Sequence, residues 1–280
     1  PIYEAKFVDL LPRMPDDYPD GDMVTEGLFS LAMHHFAKNE PAKAVPVLER
    51  AIARSPHERA YYAAGRLTYY LARAHLLLGN TTEAEAELRR VVQEHPLSFY
   101  MALAYTRLAD RDHAAADAAV ASAIAHEPRG PFTLPRGGWL EDPVFVRALV
   151  LAREGEARLA KGELDRLGVG ARTAPREIMW AAVFLLARAG SPTMSHALLR
   201  SANAGASAQK SDLAEWLAHY PVGPWQAPWE LAFPRPFEPV VAAAAQKAGL
   251  PEAWAHAIMR EESAFDARAV SPAKAYGLMQ

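Results

Sequence analysis

The 280-residue sequence contains no cysteine, which excludes disulfide bonds, thiolate nucleophiles and cysteine-ligated metal sites. It also lacks any apolar run near the roughly 20 residues that a membrane-spanning helix needs. Lysine and arginine (30) are slightly outnumbered by aspartate and glutamate (33), and no dense basic stripe is present, so nucleic acid is not an expected partner. The ten histidines are scattered without the spacing of a zinc site, so no metal or other cofactor is predicted.

What the sequence does contain is a helical pattern. Apolar residues recur every three or four residues, while Pro and Gly fall mostly between the periodic stretches, and this predicts an all-α fold. Small residues and a proline also recur 40 residues apart, at offsets of 12, 7 and 5, as in the helix pairs of tetratricopeptide-type repeats. Chance recurrence in an alanine-rich chain is the alternative. The two sets are Ala32, Ala44, Ala51 and Pro56, then Ala72, Ala84, Val91 and Pro96.

Composition divides the chain into four predicted segments. Residues 1–22 are rich in proline and aspartate and are expected to be irregular. Residues 23–220 are predicted to form an irregular tetratricopeptide-like superhelix, a solenoid of helix pairs. Residues 221–239 are rich in proline and are predicted to be a linker that is too broken for a helix. Helical periodicity resumes over residues 240–280.

The strongest chemical signal lies in the helix predicted after Pro251. Trp254, Ile258 and Glu262 follow at intervals of four, so they share one stripe of that helix. Burial of the stripe would remove solvent from the carboxylate, and the C-terminal end of the helix dipole acts in the same direction, so both favour a protonated acid. A protonated carboxylic acid is what a glycosidic leaving oxygen needs. The neighbouring Glu261 is expected to be more exposed.

Two runs near the end of the sequence carry a family resemblance. Residues 257–265 read AIMREESAF, and residues 271–280 read SPAKAYGLMQ. In sequence and spacing they resemble the Ile-x-Arg-x-Glu-Ser-x-Phe and Ser-Pro-x-Gly-Ala-x-Gly-Leu-Met-Gln runs of soluble lytic transglycosylases. The sequence departs from that pattern at Lys274, where the family usually has glycine, and at Tyr276, where a small or polar residue is common. A looser similarity to the family's helical domain includes residues 95–100.

The resemblance implies a fold and an activity. Residues 240–280 would be the first helices of a lysozyme-like transglycosylase domain. The activity would be cleavage of the β-1,4 bond between N-acetylmuramic acid and N-acetylglucosamine in peptidoglycan, with a 1,6-anhydromuramic product. The protein would then be exported to the periplasm, with glycan strands as its partner. A cell-wall protein docked on the repeats is a further candidate partner.

The resemblance also implies the site residues. Glu262 becomes the single catalytic carboxylate, which protonates the leaving oxygen and then takes the proton of the attacking C6 hydroxyl. Ser263, Met279 and Gln280 become candidate substrate-binding residues. Ser263 has an alternative role, which is to satisfy a backbone carbonyl at the end of the helix. A glycosidase with two carboxylates is the competing chemistry, and Asp266 is the nearest acidic candidate.

Two functions of different classes stay open at this stage. One is the transglycosylase, and the other is a helical repeat adaptor whose C-terminal segment is only a structural remnant. A lysozyme-like domain needs on the order of 150 residues, and residues 240–280 match only its beginning. We therefore expect residues 1–280 to be inactive or nearly so when taken alone. Since the sequence begins at Pro1 and shows no positively charged and then apolar export signal, we also expect it to be a processed or trimmed product.

Overall fold

The computed structural model describes residues 2–56, 62–202 and 212–280 of the chain. Within these ranges the fold is all-α, as predicted, apart from one isolated β-bridge between Val270 and Tyr276. None of the helices in the described ranges is both long and apolar enough to cross a membrane. The α-helices are α1 (Ile2–Leu10), α2 (Met14–Asp17), α3 (Val24–Ala37), α4 (Pro41–Arg54), α5 (Arg66–Leu78), α6 (Thr81–Glu94), α7 (Phe99–Ala109), α8 (His113–Ala125), α9 (Pro143–Arg153), α10 (Ala157–Arg166), α11 (Arg176–Arg188), α12 (Pro192–Ala202), α13 (Gln226–Ala232), α14 (Glu238–Ala248) and α15 (Glu252–Ser263).

Consecutive helices pack as the pairs α3–α4, α5–α6 and α7–α8. Small residues let paired helices approach closely, and Pro56 and Pro96 come just after the ends of α4 and α6. The repeat predicted from the small residues and prolines is therefore confirmed in the first two pairs. The small residues of the repeat all have a relative exposure of 0%: Ala32, Ala44, Ala51, Ala72, Ala84 and Val91.

Polar caps and a glycine set the helix ends in this region. The hydroxyl of Ser98 accepts a hydrogen bond from the N–H of Met101 at 3.0 Å, at the start of α7. The carboxylate of Asp112 does the same for Ala115 at 3.0 Å, at the start of α8. Gly79 ends α5 with a φ of 80°, a left-handed conformation that glycine adopts without strain. These local signals fix where α7 and α8 begin and where α5 ends.

The chain forms two compact units, and the first contains α1–α8 together with a return segment of residues 212–223. Tyr220 of the return segment is only 2% exposed, and its hydroxyl donates to the carbonyl oxygen of Val92 at 2.7 Å. The backbone N–H of Tyr220 donates to Glu127 Oε1 at 2.7 Å. Burial raises the pKa of Tyr220 to about 12. The return segment thus completes the core that α5–α8 begin.

The second unit contains α9–α15 and has an aromatic core. Trp180 of α11 is fully buried, and its ring centre lies 4.9 Å from that of Phe132. Phe132 in turn lies 5.9 Å from Trp225. Trp225 and Trp229 are both buried, at 9% and 7% exposure. Burial of these large rings, which contribute most of the contact area, holds the segment before α14 in place.

Two segments predicted to be irregular contain helices. Residues 1–22 include α1, and residues 221–239 include α13. Pro228 is the third residue of α13, in the first turn, where the missing N–H removes no helix hydrogen bond. Pro12 and Pro15 likewise lie at the starts of a short 3-10 turn and of α2. The prediction was wrong because it treated each proline as a helix breaker. The division into four segments itself stays a prediction.

Candidate active site

Helix α15 carries the candidate acid close to its C-terminal end. The chain reverses after it at Ala264 and Phe265, whose φ values of 49° and 65° are both left-handed. This conformation is strained for residues other than glycine, so surrounding contacts must hold it. The side chain of Phe265 is 3% exposed and clusters with Met259 of α15 and Val241 of α14. Burial of the Phe265 ring therefore fixes the reversal that follows the acid.

The face of α15 that is buried is not the predicted one. Trp254 is 62% exposed, Ile258 is 45% exposed and Glu262 is also exposed, whereas Met259 and His256 are buried. The prediction that the stripe ending at Glu262 is buried was wrong. A helical period of 3.6 residues gives α15 two apolar stripes, and α14 and Phe265 pack against the one that contains Met259.

The two adjacent carboxylates at the end of α15 have different surroundings. Glu261 Oε2 lies 3.0 Å from Arg200 Nη2, and Glu261 Oε1 lies 2.8 Å from Arg260 Nη2. Glu262 has no hydrogen bond or ion pair with any residue in the described part of the chain. Two arginines therefore form ion pairs with Glu261, and Glu262 is the carboxylate that remains accessible to a ligand.

Arg200 of α12 links the preceding helices of the unit to the end of α15. Its Nη1 donates to the backbone carbonyl of Arg260 at 2.6 Å, and its Nη2 donates to Glu261 at 3.0 Å. The guanidinium of Arg260 lies 4.5 Å from the ring centre of Phe233, and its Nε donates to Glu261 at 3.0 Å. Arg200 and Arg260 thus hold the last turn of α15 through its backbone and through Glu261. No pattern in the sequence signalled Arg200, because its partner lies 61 residues further along the chain.

Ser263 links the two motifs of the sequence. Its hydroxyl lies 3.0 Å from the carbonyl oxygen of Met259 and 3.0 Å from that of Leu278, so it can donate its proton to either. This fits the alternative role, in which Ser263 satisfies backbone carbonyls at the end of the helix. A contact between Ser263 and substrate stays a prediction.

The segment that follows the reversal, residues 266–280, is a loop with two further left-handed residues, Lys274 and Gly277. Gly277 has a φ of 86°, and its N–H donates to the carbonyl of Ala269 at 2.9 Å. A side chain at Gly277 would have ample space, so the backbone conformation rather than a close approach explains the glycine. Lys274, where the resembling family usually has glycine, has a φ of 64°. The departure from the family pattern thus places a lysine in a conformation that glycine prefers.

The remaining predicted residues lie in this loop. Met279 is 51% exposed, and the side-chain nitrogen of Gln280 is buried without a hydrogen-bond partner among the described residues. No hydrogen bond in the described part of the chain joins either residue to Glu262. The structure therefore brings Ser263 into contact with the loop, while the roles of Met279 and Gln280 stay predictions.

A cavity of about 290 Å³ lies beside α15, on the side away from Glu262. His256 and Arg260 line it together with Phe233 and Phe265, and none of the predicted site residues does. Among the described residues, no group of three His, Asp or Glu side chains is placed to hold a metal ion. The candidate site is therefore an open helix face and not an enclosed pocket.

A buried histidine supports the reversal after α15. His196 of α12 is 3% exposed, its Nδ1–H donates to the carbonyl of Ala232 at 2.9 Å, and its ring lies 5.6 Å from that of Phe265. Its Nε2 is buried without a partner in the described part of the chain. Desolvation lowers the pKa of His196, and the charges of Arg260 and Arg200 lower it further. The packing around Phe265 thus depends on a neutral imidazole.

Two segments of the chain match known protein families. Residues 239–280 match the family model of the transglycosylase SLT domain, and residues 29–99 match that of the tetratricopeptide repeat. No curated protein sequence matches the chain significantly.

A solved structure shows a similar fold. It is that of an inactive mutant of the lytic transglycosylase Slt from Pseudomonas aeruginosa, in which a glutamate is replaced by glutamine, with a TM-score of 0.54 and 21% identity. The likeness covers 96% of this chain and 37% of the length of that one. The chain therefore combines a region that matches the tetratricopeptide repeat with a later region that matches the transglycosylase SLT domain.

Proposed function

We propose that the chain is the helical scaffold and the beginning of the catalytic domain of a peptidoglycan lytic transglycosylase, with Glu262 as the catalytic acid and base. One observation carries the proposal. Of the two adjacent carboxylates near the end of α15, within the SLT match, arginines bind Glu261, and Glu262 has no partner among the described residues. The inactive glutamate-to-glutamine mutant of the similar Slt structure is consistent with a glutamate as the essential group in that enzyme.

The proposed reaction uses one carboxylate twice. Protonated Glu262 donates its proton to the glycosidic oxygen as the bond from that oxygen to the muramyl C1 breaks. The resulting carboxylate then accepts the proton of the muramyl C6 hydroxyl as O6 forms a bond to C1. No water is consumed, the acid is regenerated, and the product is a 1,6-anhydromuramic ring. Peptidoglycan lies outside the cytoplasmic membrane, so this activity places the protein in the periplasm.

We also propose that residues 1–280 alone turn over no substrate. A general acid works best where water is excluded and neighbouring dipoles are fixed around the reacting atoms. Glu262, Trp254 and Ile258 instead form an exposed stripe, with no second wall among the described residues to enclose a sugar. The face that carries the acid therefore lacks the enclosure that turnover needs.

Product analysis tests the reaction. The complete gene product is incubated with purified peptidoglycan, and the released muropeptides are identified by mass. Products with an anhydro end are expected. Reducing-end muramic acid would instead indicate a hydrolase with a second carboxylate, and binding without any product would favour the adaptor. The 280-residue chain is assayed in parallel, and release of anhydro product by that chain would contradict the proposal that it is inactive.

A further inference from the structure

A row of aromatic rings crosses the first helices of the three repeat pairs. The ring of Tyr70 on α5 lies 5.3 Å from that of Phe29 and 5.8 Å from that of Phe36, both on α3. It lies 6.1 Å from the ring of Tyr100 on α7. All four rings are half-buried, so each packs on the core and keeps part of its surface exposed. The row is continuous over α3, α5 and α7.

One arginine lies over two of these rings, and a second lies over the ring of the neighbouring, buried Tyr69. Arg73 has its Cζ 5.2 Å from the ring centre of Tyr70 and 5.7 Å from that of Phe36. Arg107 has its Cζ 5.8 Å from the ring centre of Tyr69, and its Nε donates to the Tyr69 hydroxyl at 2.8 Å. Both arginines are half-buried. The two arginines and the four half-buried rings are called the aromatic–arginine face below.

Arg73 and Arg107 have no carboxylate partner in the described part of the chain. Other arginines of the same unit do have one. The distance from a guanidinium nitrogen to a carboxylate oxygen is 2.6 Å for Arg50, 3.0 Å for Arg90 and 3.2 Å for Arg111. Partial burial removes solvent from a guanidinium at a cost in free energy, and a bound carboxylate would offset that cost.

The charge distribution over the helix pairs explains why these two arginines stay unpaired. Helices α3, α5 and α7 contain a single carboxylate, Glu26, which Arg66 binds at 2.5 Å. The second helices of the pairs, α4, α6 and α8, carry six carboxylates. The face formed by the first helices is therefore locally positive, although the whole chain has a net charge of −3.

The geometry of the arginines selects the kind of ligand. A guanidinium that lies over a ring can still present N–H groups at its edge, and in Arg107 the two Nη groups can do so while Nε binds Tyr69. Two such N–H groups match the two oxygens of a carboxylate. An uncharged sugar would leave that charge unmatched. Arg73 also covers ring faces of Tyr70 and Phe36 on which a sugar could stack. Two cations are too few for a nucleic-acid backbone, which needs many phosphate contacts.

We propose that the aromatic–arginine face binds a peptide through its carboxylates, with the exposed parts of the rings packed against the peptide's aliphatic groups. We identify this peptide as the stem attached to the muramic acid of peptidoglycan, and this identification rests on the proposed function. The scaffold then distinguishes strands that carry stems from strands that have lost them.

Binding by the 280-residue chain tests the inference. The chain carries Glu262→Gln so that no cleavage occurs, and calorimetry measures its affinity for the stem tetrapeptide freed of sugar and for peptide-free glycan strands. The tetrapeptide should bind, and added salt should weaken it. Arg73→Gln with Arg107→Gln should weaken binding at least about tenfold. The matched control Arg111→Gln, which breaks an exposed ion pair with Glu85, should stay within about twofold.

Two results with the double glutamine variant would overturn the inference. One is tetrapeptide binding by the double variant as tight as by the parent. The other is binding of peptide-free glycan that is as tight as binding of the tetrapeptide and that the double variant weakens by the same factor. If the double variant does not fold, as judged by circular dichroism, Arg73→Lys with Arg107→Lys retains the charges and the aliphatic stems. The lysine variant should bind with intermediate affinity, since it lacks the planar fork, and parent-like affinity would overturn the inference.

The outcome is separable from that of the proposed function because no cleavage is measured. Anhydro product from the complete gene product, together with no effect of the double variant on binding, would remove only this inference. Loss of binding in the double variant, together with no anhydro product, would support the face and remove the transglycosylase.

Discussion

The repeat helices of the first unit and α15 of the second unit differ in how many of their sides are covered. Helix α6 packs against α5 and against α7, and its Leu88 and Val91 are 1% and 0% exposed. Helix α15 packs through Met259, at 2% exposure, but leaves Trp254 and Ile258 at 62% and 45%. The repeat helices are thus stabilised from both sides and α15 from one. The difference separates a part built for stability from a part whose open face is free to meet a ligand.

Core truncation should show the largest contrast between the two regions. Leu88→Ala should lower the free energy of unfolding by about 2–5 kcal/mol, because it leaves a cavity between three packed helices. Ile258→Ala on the open face of α15 should cost less than about 1 kcal/mol. Urea unfolding of the 280-residue chain, followed by circular dichroism, measures both. Equal losses would contradict the description of α15 as covered on one side only.

Arg200 sharpens the comparison at the candidate site. Arg200→Ala should lower kcat of the complete gene product about tenfold, since a small displacement of the last turn of α15 moves the acid. The Arg200 and Glu261 side chains are 44% and 46% exposed, so the free energy of unfolding should change by less than about 1 kcal/mol.

Conservative replacement separates positioning from general stability at Arg200. Arg200→Lys retains one donor and should recover part of kcat, with KM close to that of the parent. A loss of kcat that follows the loss of melting temperature in both variants would mean that Arg200 has only a structural role.

Acid should weaken the second unit around Phe265. The folded-state pKa of His196 lies below its unfolded value, so the folded state binds the proton less well than the unfolded state. The stability that neutral His196 contributes is fully present above an unfolded pKa of about 6.5 and is lost as the pH falls below it. His196→Gln should flatten the stability profile between about pH 7.5 and 5. The exposed His113 is the control, and His113→Gln should leave the profile unchanged.

The smallest expected effect lies in the loop after α15. Lys274→Gly should raise the free energy of unfolding by up to about 1 kcal/mol, because the φ of 64° is unstrained only for glycine. Thermal unfolding measures the change. Lys274→Ala, which keeps a Cβ, should give no gain, and an equal gain for both variants would mean that backbone conformation is not the cause.

The same two regions show what a sequence pattern determines. The buried small residues of α3–α6 were predictable because close helix contact requires small side chains at fixed offsets. The helix of α15 was predictable too, but its buried face was not, since Met259 lies on one side and Trp254 and Ile258 lie on another, and periodicity does not tell which side packs. Packing by Phe265 decides between them, and that contact depends on the reversal after Ser263.

Other contacts of the site could not be predicted from any local sequence pattern. The sequence identified Glu262 and Ser263 by motif, yet the ion pair of Glu261 with Arg200 joins residues 61 positions apart. The helix around Pro228 was missed because its tolerance depends on its place in the first turn, which spacing alone did not reveal.

The contrast between Glu261 and Glu262 provides the most direct test of the account. Glu262→Gln and Glu261→Gln are compared in the complete gene product by the rate of anhydromuropeptide release and by melting temperature. Glu262→Gln should lower the rate by about 10²–10⁴ at nearly unchanged melting temperature, because the acid is lost from an exposed position. Glu261→Gln should have a much smaller effect on the rate. Substantial activity in Glu262→Gln, or a greater loss in Glu261→Gln, would contradict the assignment of Glu262 as the catalytic acid.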